Sequence, residues 1–316
     1  MVVYSYKSLI PAFAARYSAF AARYFVFVIL HYQTIDDTTD CVNSITSNVD
    51  YTNYEIVIVD NGSPNNSGII LKKLFSEEKN ITVILNKENL GFARGNNVGF
   101  LFAKENLSAE FIALINNDTI IRQKDFIISI ADKYSVDNFH ILGPDILSTA
   151  DGKHQNPREI TIQDPDRLKG LINVYTVLLI LNYFLLDKIL ERVKKSIYKK
   201  SFVKQIEHEK IDWEEEKLNV KLHGSALIFS PLYLEIYDGL YPKTFMYSEE
   251  AIIFFITKRD NLTSLYYPKV QILHKEDSST ESVYKKGYRK RRFYYKNFIK
   301  SGKVFLELME ESNRKL

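Results

Sequence analysis

Apolar positions in this chain come in short continuous blocks, each closed by polar residues and followed by a stretch of helical spacing. Residues 25–32, FVFVILHY, have the pattern of a strand buried on both faces. DDTTDCVNSITSN follows with helical spacing and acids in its first turn. YEIVIVDNGS is a second buried strand that breaks into a turn at Asn61-Gly62, and a helical stretch follows near 66–79. ITVILN, EFIALINND and FHILGPDIL predict three more strands. ARGNNVGFLFAKEN and QKDFIISIADKY predict the helices between them. Strands alternating with helices at short intervals predict a doubly wound, mostly parallel α/β sheet.

From about residue 165 the pattern changes. LKGLINVYTVLLILNYFLLDKILERVKKSIYKK is an apolar helical stretch that runs into a basic one. Its apolar part, Leu171 to Leu186, is interrupted by Asn173 and Asn182 and is shorter than the roughly 20 residues a spanning helix needs. It predicts a helix at a membrane interface or one packed on the main domain. After the charged connector EHEKIDWEEEK, the stretch VKLHGSALIFS predicts a strand with a small-residue turn. YSEEAIIFFITKRDN predicts a helix with two acids at its start, and TSLYYPKVQILH a strand ending at His274.

Composition adds three points. The chain has 316 residues and a single cysteine, Cys41, so an intramolecular disulfide and a multi-cysteine metal site are both excluded. Cys41 lies in an amphipathic helical pattern and is expected to be a small buried residue. The net charge of +3 is unevenly spread: KKGYRKRR carries six positive charges in eight residues, and no acid lies between Glu281 and Glu307. Such a run suits a solvated helix face or anionic phosphates, of lipid or of nucleic acid. The N-terminal heptad AFAARYS is followed at once by AFAARYF. Residues 1–23 read as an extension outside the main fold, an interfacial helix or an inert tail.

In doubly wound sheets ligands bind beyond the carboxyl ends of the strands. The polar groups Asp60-Asn61, Asn89 to Asn97 and Asn116-Asn117-Asp118 all follow predicted strands, so they are expected to converge on one crevice. Asp60 could accept from a nucleobase edge or ribose, or simply form a local turn. Asp118 suits Mg²⁺ or Mn²⁺, which take one or two protein carboxylates and complete their shell with water and phosphate. Its alternative is an N-cap for the next helix. Gly91 and Gly95 in NLGFARGNN would let backbone approach a phosphate or sugar, and Arg94 offers a planar donor fork to a diphosphate. The stretch is neither a G-x-G-x-x-G fingerprint nor a P-loop, so dehydrogenases and P-loop NTPases lack their motif. Glu249 and Glu250 are candidates for a general base, or ordinary helix N-terminal charge.

FVFVILHYQTIDDTTDCVNSI, EIVIVDNGSPNN, NKENLGFARGNNVGF and FIALINND resemble, in order and spacing, the first half of the family 2 glycosyltransferases. ILGPDIL, DGKHQNP, HGSALIFSPLYLEIYDGLYPKTFMYSEE and LYYPKVQILHKEDSST continue the resemblance to about residue 300. It is nearest to bacterial capsular or exopolysaccharide enzymes and rhamnosyltransferase-like proteins. The resemblance implies a GT-A fold, with a nucleotide-sugar half (24–145) and an acceptor half (146–280); the apolar insert 165–205 within the latter and the N-terminal repeat lie outside the family pattern, and a basic helix (281–316) follows. It implies inverting transfer from a nucleoside-diphosphate sugar to a saccharide acceptor, lipid-linked in this setting.

By position, Asp60 would hold the base, with Arg94, Asn97, Asn116 and Asn117 around the donor. NND stands where the family usually has Asp-x-Asp, so Asn116 takes the ribose side and Asp118 the metal, Mg²⁺ or Mn²⁺, with His274 at the metal or diphosphate. Glu250 aligns with the catalytic base and Glu249 lies one position away. The implied location is the cytoplasmic face of the cell membrane, peripheral and held to an anionic surface, without a nucleic-acid partner. The rival readings are a sugar-nucleotide nucleotidyltransferase, an inactive nucleotide-sugar-binding subunit and a nucleic-acid-binding module.

Overall fold

The computed structural model describes residues 23–158, 164–188, 212–275 and 287–314. The N-terminal repeat, the basic part of the apolar insert beyond residue 188 and the start of the basic tail lie outside the described residues.

Strands β1 (Phe25–His31), β2 (Tyr54–Asp60), β3 (Ile81–Leu85) and β4 (Phe111–Asn116) are parallel, in the spatial order β3-β2-β1-β4. Helices α1 (Ile35–Asn48), α2 (Ser67–Leu74) and α3 (Phe92–Leu101), the last extended by a wider turn over Phe102–Asn106, make the crossovers. The continuous apolar runs arise because successive side chains of a strand point to opposite faces and both faces are covered. In β1, Phe25, Phe27 and Ile29 enter one buried layer with Cys41 and Ile45 of α1. Val26 and Val28 enter the other with Ala93 and Phe100 of α3. Cys41 is fully buried as expected, and burial pushes its thiol up to about 12.

Beyond β4 the sheet departs from simple repetition. A two-residue strand β5 (Thr119–Ile120), helix α4 (Phe126–Asp137) and strand β6 (Ile141–Ser148) follow. The chain then forms helix α5 (Pro165–Tyr183), short β7 (Lys217–Leu218), β8 (Ala226–Phe229), helix α6 (Pro231–Leu234), helix α7 (Glu249–Arg259), β9 (Ser264–His274) and helix α8 (Gly287–Asn313). The full order is β3-β2-β1-β4-β8-β6-β9-β5, with β7 on β9. The four-residue β8 is wedged antiparallel between β4 and β6, and β6 pairs parallel with β9. The mostly parallel α/β class is therefore observed, with β8 and the two-residue strands β5 and β7 reversed.

The apolar insert resolves into a helix with one buried side. Asp164 caps α5 by accepting from Asp166 N at 2.9 Å, and Pro165 starts the first turn, where a missing N–H is harmless. Leu168 and Ile172 pack with Phe305, Leu308 and Met309 of α8, and Gly302 of α8 lies under Ile172. Beyond the helix end, Asp187 is fully buried and bound by Arg291, Nε to Oδ2 at 2.5 Å and Nη2 to Oδ1 at 3.1 Å. Arg292 donates to Asn182 Oδ1 at 2.9 Å and to its carbonyl at 3.2 Å.

Two of the six basic residues of KKGYRKRR are thus structural ties rather than a solvated face. Burial opposes the charge of Asp187, but the Arg291 and Asn182 hydrogen bonds outweigh it and hold its carboxyl below the usual range. Arg291→Gln is expected to lower unfolding free energy by about 2 kcal/mol, the scale of lost hydrogen bonds to a charged group. Because the folded carboxyl is depressed, the wild-type advantage is present above the ordinary carboxylate range and fades as pH falls through the folded value. Urea unfolding of both proteins at neutral and acid pH checks this.

Candidate active site

The carboxyl ends of β1, β2 and β4 stand side by side, since His31 is in register with Asp60 and Leu30 with Asn116. Asp60 is buried, accepts from Ser63 N at 3.3 and 3.4 Å, and lies 4.0 Å from His31 Nε2. His31 is sandwiched between the hydroxyls of Thr38 and Ser67, each at 2.7 Å; burial holds its imidazole down to about 4, so it is neutral at pH 7. Thr38 in turn accepts from Asn117 Nδ2 at 3.0 Å. Asp60 and Asn117 therefore border one buried polar network. Asn116 is half-buried at the end of β4.

Asp118 is nearly buried and does not cap a helix. It runs into β5, and α4 begins only at Phe126. The pairing of β5 with β9 sets Thr119 opposite His274, which brings His274 Nε2 to 3.3 Å from Asp118 Oδ1. The other ring nitrogen of His274, Nδ1, faces Gln155 Oε1 at 2.8 Å. A carbonyl oxygen only accepts, so Nδ1 carries the proton and, in the neutral ring, Nε2 turns its lone pair toward the carboxylate. Two lone pairs so close repel unless a proton or a cation lies between them. A ligating histidine whose second N–H is held by a carbonyl is the usual arrangement at metals.

Among the described residues no group of three or more His, Cys, Asp and Glu could hold a metal. A divalent ion at Asp118 and His274 would complete its shell with water and substrate phosphate oxygens, as Mg²⁺ and Mn²⁺ commonly do. The residues present fit that ion.

At the start of α7 the two acids differ. Glu249 points inward. Its Oε1 is buried without a hydrogen-bond partner among the described residues, and burial raises its carboxyl to about 7. Glu250 turns outward. Its Oε1 accepts from Gly224 N at 2.7 Å, and Lys221 Nζ lies 3.8 Å from Oε2. Burial lowers Lys221 from its ordinary range, partly offset by Glu250. His223 Nδ1 is 3.9 Å from Glu250 Oε1 and accepts from Ser225 N at 3.0 Å. Burial holds His223 down to about 4, so that contact is not an ion pair at neutral pH. The rings of His223 and His274 meet edge to face, with centroids 5.8 Å apart. Asp118, His274, His223 and Glu250 thus form one unbroken line.

His223, Lys221 and Gln155 are not among the residues that the sequence patterns single out. A signal was present in DGKHQNPR and VKLHG, two polar segments that pair with each other: His223 N donates to Asn156 Oδ1 at 3.1 Å and Arg158 N to Lys221 O at 2.9 Å. Several residues of NLGFARGNN are engaged differently from expectation. Gly91, at φ 83, has no room for a Cβ against the Phe245 carbonyl, which accepts from Phe92 N at 2.6 Å. A Cβ on Gly95 would fall 2.7 Å from Leu30 Cδ1. These glycines admit neighbouring protein, where a phosphate or sugar was expected. Asn97 clamps the Leu240 backbone with both amide functions, each at 2.7 Å. Arg94 is exposed, and its Nε donates to Leu90 O at 3.2 Å.

A mostly parallel, curled α/β sheet with its acids on the carboxyl edge and helices added at the C-terminus is the GT-A type of fold. Residues 26–197, more than half of the chain, match the family model for glycosyl transferase family 2, and the chain belongs to that family. It is 30% identical over 96 residues to glycosyltransferase GlyG of Streptococcus pneumoniae serotype 4; the match covers 30% of each protein, so it spans less than a third of that relative's length. Among solved structures it is similar to S. aureus TarS 1–349, with a TM-score of 0.50 and 13% identity over 82% of this chain and 63% of that one. That likeness is one of fold.

Proposed function

We propose that this family 2 enzyme is an inverting glycosyltransferase. It moves a sugar from a nucleoside-diphosphate sugar to a saccharide acceptor, carried on a lipid, in the synthesis of a capsular or other cell-surface polysaccharide, rhamnose-containing polymers included. The observation that carries the reading is the continuous line from Asp118 and His274 through His223 to Glu250 on the carboxyl edge of the sheet. Residues 24–145 form the donor half and 146–280 the acceptor half.

In this reading Asp60 and Asn117 border the nucleoside, with Asn116 on the ribose side; Arg94 reaches the diphosphate from solvent. Asn97 supports the loop at Leu240 rather than the donor. Glu250 removes the proton from the acceptor hydroxyl, held in place by the Gly224 N–H. The acceptor oxygen attacks the anomeric carbon in line. The bond from that carbon to the diphosphate oxygen breaks, and its electron pair leaves with the diphosphate. Mg²⁺ or Mn²⁺, when bound at Asp118 and His274, would offset the charge growing on that leaving group. His223, neutral and buried, keeps a second charge away from the base. Glu249, its carboxyl shielded from solvent and raised to about 7, is not the base in this reading.

The test is incubation of the purified protein with a panel of nucleotide sugars and Mn²⁺, with and without chelator, reading nucleoside diphosphate release. Release from one donor, abolished by chelator, is expected. Pyrophosphate as product would indicate a nucleotidyltransferase instead, and binding without turnover an inactive subunit.

A further inference from the structure

Two segments far apart in sequence meet at the C-terminal end of α5. There Val177, Ile180, Phe184, Leu185 and Leu186 are exposed, Phe184 to 70% and Leu185 to 60%. Leu185 also holds a left-handed backbone, φ 61, where helices ordinarily place glycine. A large apolar side chain thus stands in solvent in an unfavourable conformation, with no burial to offset it.

The first turns of α8 bring positive charge to the same place. The Arg292 guanidinium lies 4.0 Å from the Tyr183 ring centroid, and Lys296 Nζ lies 5.7 Å from it. Lys188, Arg289 and Lys296 are exposed. Asp187, the one acid between Val177 and Lys188, is buried and neutralised by Arg291.

We propose that this end of the α5–α8 pair is the surface on which the enzyme lies against an anionic lipid bilayer. Phe184, Leu185 and Leu186 enter the acyl boundary, and Lys188, Arg289 and Lys296 meet the phosphate headgroups. A nucleic acid would answer the charges and leave the apolar projections in water. A second copy of the chain would set positive charge against positive charge. No helix among the described residues is long and apolar enough to cross the membrane, so the contact is interfacial.

The same surface is joined to the catalytic edge. Tyr294 of α8 packs between Tyr175 of α5 and Tyr247, at centroid distances of 5.5 and 4.8 Å. Ser301 donates to Met246 O at 2.8 Å. Tyr247 and Ser248, both left-handed at φ 70 and 72, lead straight into Glu249 and Glu250. The bilayer contact and the proposed base therefore belong to one packed body, which would present Glu250 to an acceptor anchored in the membrane. Only this last step rests on the lipid-linked acceptor reading, because vesicle binding is measured without donor or acceptor.

The experiment is flotation of the full chain with phosphatidylcholine vesicles, with and without phosphatidylglycerol, at low and high salt. Binding is expected with the anionic lipid and is expected to weaken in salt, as screened charges do. Arg289→Gln and Lys296→Gln should each weaken it about fivefold. Phe184→Ser with Leu186→Ser should weaken it about tenfold or more. Leu185→Gly should weaken it too while leaving the thermal midpoint unchanged or higher, because it relieves the left-handed leucine. Donor hydrolysis should be unchanged in all of these variants. The proposal is overturned if the native chain ignores anionic vesicles at low salt, or if the variants bind as well as it does. It is also overturned if Phe184→Ser with Leu186→Ser lowers the thermal midpoint, for the patch is then covered by the chain itself. A dimer that these changes abolish, without vesicle binding, would assign the patch to a second copy.

Discussion

Glu250→Gln is expected to lower glycosyl transfer about 10²-fold or more, with donor binding retained, as loss of a general base does. The amide keeps an oxygen to accept from Gly224 N, so the local geometry should survive and only proton acceptance is lost. The paired change Glu249→Gln should behave differently. The carboxyl of half-buried Glu249 is itself shielded from solvent and raised to about 7, so folding favours its protonated form. Stability from such a group is complete below the unfolded carboxyl value and falls as pH rises through about 7. An uncharged glutamine removes that loss, so Glu249→Gln should be active and more stable than wild type above neutrality. Steady-state kinetics of both variants and their thermal midpoints across pH decide the matter. If Glu249→Gln is the crippled enzyme, the base lies one residue earlier; if both are active, neither acid is the base.

Asp118→Asn should reduce kcat/KM about 10²-fold or more, the scale of removing a group that stabilises charge in the transition state. It should also abolish Mn²⁺-dependent binding of nucleoside diphosphate. The fold should persist, because asparagine matches aspartate in shape and Lys275 N donates to the residue 118 carbonyl at 2.9 Å, not to its side chain. Calorimetric titration with a nucleoside diphosphate, with and without Mn²⁺, reads the effect. Unchanged Mn²⁺-dependent binding would remove Asp118 from the metal role and leave its contact with His274 as a structural pair.

The approach of Asp118 to His274 illustrates what sequence alone could and could not reach. Both residues were legible as polar endings of apolar runs, and so was Asp60. That they meet depends on the pairing of two-residue β5 with the end of β9, 155 positions apart by their numbers (274 − 119). So short a strand has no periodicity of its own to read. Asp118 also looked able to cap the next helix, and only the path of the chain into β5 excluded this. Gly91 and Gly95 announced a close approach without saying of what. Their neighbours, Phe245 and Leu30, are set by packing.

Local pattern determined the strands from β1 to β4, the crossover helices and the polar strand ends. Burial on both faces imposes continuous apolar runs, and helices impose a 3.6-residue spacing; both are written within a few residues. The tertiary structure alone decided the reversal of β8, because the apolar run ALIF is the same in either direction. It alone separated Glu249 from Glu250, since adjacent helical residues point about 100° apart and only the surrounding elements say which side is solvent. It also turned Arg291 and Arg292 from anonymous charges into ties to Asp187 and Asn182, and set His223 between His274 and Glu250. Each of these is a contact between segments distant in the chain, and such contacts are fixed by how whole elements pack rather than by the residues next to them.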